Sequence, residues 1–332
     1  LRTVVQKRSA PASLPEIVIF GDWSIFGLQL QKLAFDQPPV RLLEPTELAN
    51  MDKRHLQNIG VAFVEMGNVD KSEFRACQVS EMCGRASYEY VQAAIDAALD
   101  SKIDAITTCP INKGALQRAG IDYPGHTEMF AERCGEAERP DRWCMMQYSR
   151  EITCTFVTVH IGYDEVPKFL SKNRIFDTIE LTAEALVRIG HSQPKIVVCG
   201  LNPHAGEDGL FGNGEEERLI RPAIERARRE GINVAGPIPG DTAFLPWRRQ
   251  ETDAFVCMYH DQGHIPVKAL AFDKAVNTSL GLRVLRTSVD HGTAFDIAWQ
   301  NSSREVDTGS LFAALRLAEK LANNDKIMNS KE

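Results

Sequence analysis

The sequence predicts an α/β fold in which helices cover a largely parallel sheet. Short apolar runs alternate with stretches of helical periodicity along the whole chain, which is the pattern of such a fold. The chain has 332 residues, of which 43% are apolar and 25% are charged. It is therefore long enough for two domains, or for one large α/β unit, with a substantial buried core.

The predicted elements follow one another in a regular order. Apolar runs predict strands at residues 16–20, 61–64, 103–107, 152–159, 195–199 and 254–258. Apolar residues at helical spacing predict helices at 88–99, 176–189, 215–229 and 310–322, and a further helix begins near Lys113. The polar tail, residues 323–332, is expected to be frayed.

The composition argues against several classes of function. The net charge of -7 is unlike that of nucleic-acid-binding proteins, which usually have a basic face. No apolar stretch approaches the roughly 20 residues of a membrane span. The eight cysteines have no C-x-x-C spacing, and several fall in strand-like runs, so we expect reduced core thiols in a cytoplasmic protein. We therefore expect neither a nucleic-acid partner nor a membrane partner.

Three histidines stand just past the ends of three separate apolar runs. His160 and His260 each end a run, and His204 follows a third run after a few residues. In an open α/β sheet, ligands collect outside the carboxyl ends of the strands. Three imidazoles delivered there can converge on one divalent metal and leave a coordination position open, as a catalytic site requires. The alternative for any one of them is a purely structural histidine.

Two stretches carry groups that suit an anion. Asn112 and Lys113 stand at a strand-to-helix turn, where backbone N–H groups and a cation favour negative charge. His126 and Thr127 follow a Pro-Gly turn and can hold a phosphate or carboxylate. The alternative for the whole of residues 110–128 is a helix N-cap with a satisfied surface histidine.

A dense polar block near the C-terminus strengthens the case for a site. Lys268, Asn277 and Arg286 suit anion binding by a point charge, an amide or a planar guanidinium. The chain contains neither G-x-G-x-x-G after a strand nor G-x-x-x-x-G-K-[ST]. The glycine-rich stretch 206–214 fits neither fingerprint and is most simply a loop. A bound dinucleotide would therefore need a mode other than the Rossmann one.

The sequence resembles the PdxA family, the 4-hydroxythreonine-4-phosphate dehydrogenases of pyridoxal phosphate biosynthesis, together with PdxA-like dehydrogenases. The resemblance extends from about Gly84 to Gly309 and so covers most of the chain. The matching motifs are Thr108–Lys113, Ala119–Glu128, Val157–His160, Asn202–Glu207, Pro239–Thr242, Tyr259–Gly263 and Arg286–Gly292. Together these motifs are highly specific for the family.

The resemblance implies a particular version of the α/β fold. It is the isocitrate/isopropylmalate dehydrogenase type, a two-domain fold that binds NAD without a Rossmann fingerprint and has its active site in the interdomain cleft. We expect an outer domain of residues 1–125 plus 285–332 on the NAD side. We expect an inner domain of residues 126–284, which carries the metal ligands and the dimerisation surface.

The resemblance also assigns roles to individual residues. The implied metal ligands, in a site shared across a homodimer, are His160, His204 and His260. The implied substrate-binding residues are His126, Thr127, Lys268, Asn277 and Arg286. The implied residues near the cofactor are Ser288, Asp290 and Asp296. The candidates for proton transfer are Lys268 and Asp241. Ligation by histidines suits Zn²⁺ first, then Co²⁺ or Ni²⁺, and Mg²⁺ less well.

The implied reaction is the NAD-dependent and metal-dependent oxidation of the 3-hydroxyl of a 4-phosphorylated four-carbon acid, followed by decarboxylation. NADP is the alternative cofactor. The first expected substrate is 4-hydroxythreonine 4-phosphate, which gives 3-amino-2-oxopropyl phosphate. The alternative is D-threonate or D-erythronate 4-phosphate, which gives dihydroxyacetone phosphate. A third alternative, of another class, is a metal-binding homologue without catalysis.

Two departures from the family pattern bear on this expectation. The family's opening G-D-P-x-G-I-G-P-E segment has no match before Glu16, so we expect the first strand and its loop to be absent. His264 is typical of PdxA-like branches that act on four-carbon sugar-acid phosphates or on aromatic cis-dihydrodiols. Asn277 and Arg286 are retained, which favours a phosphorylated substrate.

Overall fold

Two sheets, one of three strands and one of eight, organise the protein. The computed structural model describes residues 15–32, 36, 38–272, 274–299 and 308–329. The first 14 residues, where the family's opening segment would be sought, lie outside this range. In the described part of the chain no helix is both long and apolar enough to cross a membrane.

The strands of the two sheets are mostly parallel. They are β1 (Ile17–Gly21), β2 (Arg41–Leu43), β3 (Val61–Glu65), β4 (Ile106–Thr108), β5 (Cys144–Tyr148), β6 (Thr153–Phe156), β7 (Ile196–Cys199), β8 (Val234–Ile238), β9 (Ala254–Cys257), β10 (Val276–Leu280) and β11 (Arg286–Ser288). The small sheet has the order β1-β3-β2, and the large sheet has the order β4-β11-β10-β5-β6-β9-β7-β8. Three neighbouring pairs of the large sheet are antiparallel, namely β5 with β6, β5 with β10, and β10 with β11. Strands β4, β5 and β11 therefore run opposite to the other five strands of this sheet.

Helices connect the strands and cover both faces of the large sheet. They are α1 (Trp23–Lys32), α2 (Pro45–Asn50), α3 (Lys53–Gln57), α4 (Glu81–Leu99), α5 (Lys113–Arg118), α6 (His126–Cys134), α7 (Val166–Phe169), α8 (Lys172–Ile189), α9 (Arg221–Arg229), α10 (Gly240–Ala243), α11 (Pro246–Gln250), α12 (His260–Ala271) and α13 (Gly309–Asn329). A π-helical turn, Glu216–Ile220, leads into α9. The tail expected to be frayed instead continues α13 as far as Asn329.

The helix starts follow local chemistry. The Ser171 hydroxyl accepts the backbone N–H of Arg174 at the start of α8. Asn112 does the same for the N–H of Ala115 at the start of α5, at 2.9 Å. This satisfies a donor that the first turn leaves without a helical partner. For Asn112 the N-cap alternative is therefore correct.

Both faces of the large sheet are packed mainly with apolar side chains, and both also carry buried polar ones, such as Thr155 against Thr182 of α8 and Gln147 against His264 of α12. Ile175 and Ile179 of α8 pack with Val198 and Val256 in a fully buried cluster on one face. On the opposite face, Val267 of α12 belongs to a second cluster together with β5, β6, β7 and β9. Helix α6 lies beyond α12 over the end of the sheet that contains β4. Successive residues of β7 and β9 alternate between these two clusters, so both faces of these central strands are covered.

The α/β class and all six predicted strands are present, but β2, β5, β8, β10 and β11 were not predicted. Strands β5 and β10 contain Gln147 and Asn277, which interrupt the apolar runs that signal a buried strand. The prediction of a largely parallel sheet did not include the three antiparallel pairs that β5 and β10 form. The large sheet contains strands from both predicted domains, and the division into 1–125 plus 285–332 and 126–284 stays a prediction.

Candidate active site

A row of polar side chains crosses the face of the large sheet that lies under α6 and α12. The strand register aligns Thr108 with Ser288, Ser288 with Asn277, and Asn277 with Gln147. Aligned residues of neighbouring strands share a face, as do residues two positions apart, so Arg286 lies on this face too. We call Thr108, Ser288, Asn277 and Gln147 the polar floor. The predicted substrate residues Asn277 and Arg286 are thus brought together.

Arg286 is a buried cation held by hydroxyl groups. It is 2% exposed, and its guanidinium donates to Thr127 at 3.3 Å, to Ser279 at 3.1 Å and to Thr108 at 3.0 Å. Its Nε is buried without a partner, and none of the ion pairs among the described residues involves it. Burial lowers the pKa of Arg286 to about 10, so the group stays charged at neutral pH. A buried charge is costly unless it is paired, so this site is built for an anion.

The N-terminus of α6 lies directly over Arg286. Helix α6 begins at His126 after Gly125, and this start places Thr127 within reach of the guanidinium. The Nε2 atom of His126 is buried and has no partner. Burial, reinforced by the charge of Arg286, lowers the pKa of His126 to about 3. The imidazole is therefore neutral at physiological pH and can form a hydrogen bond with a bound ligand.

Helix α12 carries a second group of functional side chains on one face. His260, His264 and Lys268 are spaced four residues apart and so line up along the helix. The rings of His260 and His264 stack with their centroids 3.8 Å apart. Nδ1 of His264 lies 3.1 Å from the carbonyl oxygen of His260, so it must donate, and Nε2 accepts from the Gln147 amide at 3.4 Å. Burial lowers the pKa of His264 to about 4, which keeps this ring neutral.

Asp290 joins the polar floor to Lys268. The Gln147 amide donates to Asp290 Oδ1 at 3.1 Å, and the Lys268 ammonium lies 3.8 Å from Asp290 Oδ2. Burial raises the pKa of Asp290, although the nearby Lys268 charge opposes this effect. The Lys268 side chain is 47% exposed, so its amine borders open space beside the floor. Lys268 is thus placed where it can reach a ligand.

The three histidines predicted as metal ligands share one local arrangement. Nδ1 of His160 pairs with Glu128 at 2.9 Å, Nδ1 of His204 with Glu207 at 2.8 Å, and Nδ1 of His260 with Asp261 at 2.7 Å. A carboxylate on one ring nitrogen orients the imidazole and directs the other nitrogen, Nε2, towards a metal. In donor type and orientation these residues fit a zinc-like ion.

The same histidines do not form a complete cluster within one chain. The rings of His160 and His260 lie 5.7 Å apart, whereas the ring contact found for His204 is with Phe211, also at 5.7 Å. Among the described residues, no group of three His, Cys, Asp or Glu side chains is close enough to hold a metal ion. The chain therefore brings His160 and His260 together but not all three predicted ligands.

The remaining predicted site residues lie around this centre. Asp241 is exposed in the first turn of α10, and the adjacent Gly240 packs against Gln262 of α12. Within the described chain no hydrogen bond links Asp241 to the other site residues. Ser288 is part of the polar floor and donates to the carbonyl oxygen of Val289. Asp296 is exposed beyond the end of β11.

Two residues that bear on the site were not assigned a role from the sequence. Gln147 is fully buried, and its Oε1 has no partner. The only indication in the sequence was that Gln147 is a polar residue inside a short apolar run. Glu128 orients His160 through Oε1, while its Oε2 is buried without a partner. Burial acts to raise the pKa of Glu128, but the hydrogen bond with His160, a backbone hydrogen bond and the nearby positive charges together lower it.

Known proteins resemble this chain in both sequence and fold. The profile of the family described as "Pyridoxal phosphate biosynthetic protein PdxA" matches residues 13–318. The 4-hydroxythreonine-4-phosphate dehydrogenase of Desulforapulum autotrophicum is 45% identical over 256 residues, which are 77% of this chain and 73% of that protein. The D-threonate 4-phosphate dehydrogenase of Cupriavidus necator is 46% identical over 245 residues, 74% of this chain and 72% of the relative. A crystal structure of a 4-hydroxythreonine-4-phosphate dehydrogenase from Burkholderia phymatum is similar to this chain, with a TM-score of 0.74 at 37% identity. The aligned region covers 96% of this chain and 92% of the crystallised one.

These relatives are dehydrogenases, and with the fold and the site they define an oxidoreductase that acts on a CH–OH group. The predicted two-domain α/β fold of the isocitrate/isopropylmalate dehydrogenase type is confirmed by the likeness to these solved structures. The chain belongs to the PdxA family, as its motifs predicted. Dehydrogenases of this kind use a nicotinamide cofactor, which agrees with the predicted cofactor class.

Proposed function

We propose that the protein oxidises the 3-hydroxyl of a 4-phosphorylated four-carbon acid with NAD and then decarboxylates the product. The first candidate substrate is 4-hydroxythreonine 4-phosphate. Arg286 is the single observation that carries the proposal, because it is a buried guanidinium that forms no ion pair among the described residues and keeps its Nε without a partner. A phosphate would supply the missing negative charge and accept hydrogen bonds in the planar geometry that a guanidinium offers.

The groups around Arg286 suit the phosphate and the carbon chain attached to it. Thr127, Thr108 and Ser279 surround the guanidinium with hydroxyls that can donate to phosphate oxygens as well as accept from Arg286. His126 Nε2 and Asn277 Oδ1 are buried without partners beside them. Buried polar atoms left unsatisfied in a protein are usually completed by a ligand or water. We assign this pocket to the substrate.

His160, His204 and His260 would hold a divalent metal, Zn²⁺ first and Co²⁺ or Ni²⁺ as alternatives. When bound there, such an ion supplies Lewis acidity for the hydroxyl that is oxidised and for the later loss of CO₂. The chain's own contribution is to orient the rings through Glu128, Glu207 and Asp261. These pairs support the proposal because they leave Nε2 of each ring for the metal.

Because one chain does not gather the three histidines, we propose that the site is completed across a homodimer. The large apolar side chains that are exposed support this proposal. They are Leu42, Tyr163, Phe169, Val187, Leu210, Phe211, Leu245, Trp247, Ile265, Leu270 and Phe272. All but Leu42 fall within residues 126–284, the segment predicted to form the dimer. An interface between two copies of this segment would cover such side chains.

Lys268 is our first candidate for proton transfer. Its amine borders the floor, and Asp290 lies 3.8 Å away to hold and orient it. Asp241 is the second candidate, on the helix that packs against the first turn of α12. Ser288, Asp290 and Asp296 remain our proposal for the side of the site that faces NAD, with NADP as the alternative cofactor.

A second candidate substrate is D-threonate or D-erythronate 4-phosphate, and the observation that favours it is His264. The His264 ring makes specific contacts, because it stacks on His260 and accepts a hydrogen bond from the buried Gln147. Gln147 in turn holds Asp290, so His264 belongs to the network that positions Lys268. A relative named for each substrate is about equally similar to the chain, at 45% and 46% identity.

The test is to follow NAD reduction by the purified, metal-loaded protein with both substrates side by side. Faster turnover of 4-hydroxythreonine 4-phosphate supports the first candidate, and a preference for D-threonate 4-phosphate supports the second. Silence with both, under conditions where the protein binds metal, would favour the non-catalytic alternative.

The role of Arg286 is tested by Arg286→Lys, with Arg283→Lys as the matched control. The lysine keeps the charge but loses the planar guanidinium, so kcat/KM should fall by roughly 10- to 100-fold, equivalent to about 1.5–3 kcal/mol for a hydrogen bond to a charged group. Arg283 is exposed and donates to the carbonyl oxygen of Arg133, so its replacement should leave kcat/KM unchanged. Equal effects of the two changes would remove the phosphate assignment.

A further inference from the structure

The loop that carries His204 has an unusual backbone. Five consecutive residues, His204 to Asp208, have positive φ, at 54°, 52°, 82°, 41° and 53°. Four of them are not glycine, and L-residues adopt this left-handed region only at an energetic cost. Such a run persists only where the surrounding structure holds it in place, and it is typical of functional sites.

A buried carboxylate, Glu216, lies at the centre of this loop. It is 1% exposed, and its Oε1 accepts the backbone N–H groups of Leu201 at 2.9 Å and Asn202 at 2.8 Å. Its Oε2 accepts from the side-chain amide of Asn202 at 3.0 Å. The neighbouring Glu215 accepts from the same amide at 2.9 Å. Glu216 thus holds the loop immediately before His204.

The left-handed turn itself packs against the same carboxylate. A Cβ added at Gly206 would lie 2.8 Å from Glu216 Oε2, so only a glycine leaves room for the contact. A Cβ added at Gly200 would lie 2.8 Å from Ala205 and 3.4 Å from Glu216 Oε1. The loop is therefore folded tightly around Glu216, on both sides of His204.

No basic side chain of the described residues forms an ion pair with Glu216. Its charge is stabilised only by N–H groups, which makes its burial costly compared with an apolar residue. A purely structural role in closing a loop does not require a charge. A metal ligand that must be held in one position does require a charged acceptor, because charge-assisted hydrogen bonds are shorter and stronger than neutral ones and define geometry more tightly.

We propose that Glu216 is a positioning residue, which sets the orientation of His204 as a metal ligand by holding Leu201, Asn202 and the left-handed turn. The inference rests on the proposed metal centre. It concerns a residue that touches neither the metal nor the substrate, and it explains how an exposed ring can be presented by a strained loop.

The experiment measures Co²⁺ binding by the full chain, with Glu216→Gln and the adjacent Glu217→Gln as a matched pair. Glu217 is exposed and, among the described residues, pairs with Arg221 one helical turn away, so its replacement makes the same chemical change outside the loop. Co²⁺ affinity is determined by competition with a chelator, and the visible absorption of the bound ion reports its coordination geometry. Neither measurement depends on turnover.

We expect Co²⁺ affinity to fall roughly 10- to 100-fold in Glu216→Gln, the range for groups that orient metal ligands, and the absorption spectrum to change. Glu217→Gln should match the wild type in both. Equal affinity and an unchanged spectrum in folded Glu216→Gln would overturn the inference. If the wild type itself binds no Co²⁺, the metal centre of the proposed function fails first, and the positioning role falls with it.

Circular dichroism and thermal unfolding without metal show whether Glu216→Gln is folded. Should it fail to fold, Glu216→Asp serves instead, because it keeps the charge but withdraws the carboxylate by one methylene. The rise in Tm on adding Co²⁺ then isolates binding from general destabilisation, since only the native state binds the ion specifically. A smaller rise than in Glu217→Gln supports the inference, and an equal rise overturns it.

Discussion

Unsatisfied polar atoms gather around the proposed substrate pocket. Among the described residues, His126 Nε2, Glu128 Oε2, Asn277 Oδ1 and Arg286 Nε are all buried without a hydrogen-bond partner. Each such atom costs free energy unless water or a ligand completes it. Their concentration in one place supports a ligand-binding role for this pocket.

The neutral state of His126 makes stability depend on pH. Its folded pKa is about 3, against an ordinary value of 6.5, because the ring is buried next to Arg286. At about pH 5 the unfolded chain binds a proton that the folded chain does not, so this contribution is present above pH 6.5 and is lost as pH falls towards 3. Between about pH 7.5 and pH 5, wild type should lose about 2 kcal/mol more free energy of unfolding than His126→Gln.

Urea unfolding at the two pH values measures this difference. His291→Gln, which changes an exposed ring, is the control and should keep the wild-type pH dependence. If His126→Gln also kept it, the buried neutral ring would not be its source.

Lys268 should affect turnover more than binding. If its amine moves the proton, Lys268→Met should lower kcat by roughly 100-fold or more, as expected when a general acid or base is lost. KM should change much less. The control is Lys274→Met, which alters an exposed lysine paired with Glu151. Steady-state kinetics on both variants separates proton transfer by Lys268 from a general effect of losing a positive charge. A kcat within a few-fold of wild type would transfer the role to another group such as Asp241.

At the scale of elements, α12 is the part of the site that depends most on close packing. Gly263 lets this helix approach β6 and β9, because a Cβ there would lie 2.7 Å from the Phe156 ring and 2.8 Å from the Cys257 sulfur. Both neighbours are fully buried and have little room to move. The close approach fixes the height of His260, His264 and Lys268 above the sheet.

Gly263→Ala should therefore destabilise the fold by about 1–3 kcal/mol, the usual cost of overpacking a core. Gly27→Ala is the control, because a Cβ at this position in α1 would meet nothing within 4 Å. It should be neutral or stabilising by up to about 1 kcal/mol, since alanine favours helix over glycine. Chemical denaturation compares the two, and similar values would contradict the packing argument.

At the scale of the whole molecule, the exposed apolar residues of 126–284 predict an oligomer. Ile265, which is 67% exposed, lies on α12, the helix that also carries the proposed metal ligand His260. Ile265→Asp should dissociate the proposed homodimer, because a charge buried in an apolar interface loses its hydration. Light scattering should then give the mass of one chain, and metal affinity should fall with it.

The matched control is Leu42→Asp, a similarly exposed apolar residue at 47% that lies outside this segment. Its mass should remain that of the wild type. A wild-type protein that is already monomeric would refute the shared site.

Much of the site could be predicted from the sequence, because its chemically active residues lie in short segments of the chain. His160, His204 and His260 stand at strand ends, and Arg286 lies in a polar block, so their types and spacing suggest a metal and an anion. The α/β class followed from periodicity for the same reason, since burial of one face repeats along a single element. The family motifs then named the reaction class.

Tertiary structure decided everything that depends on residues distant in the chain. Gln147 and His264 are 117 positions apart, and Arg286 and Thr127 are 159 apart, so no local pattern records either contact. The sequence pattern did not predict strands β5 and β10, because their polar residues Gln147 and Asn277 line the site and interrupt the apolar runs. Arg286 becomes buried only once α6, which also brings Glu128 near it, packs over the sheet. The sequence by itself determined which groups the protein has, and packing alone determined which of them are left unsatisfied, since desolvation is a property of the folded surroundings.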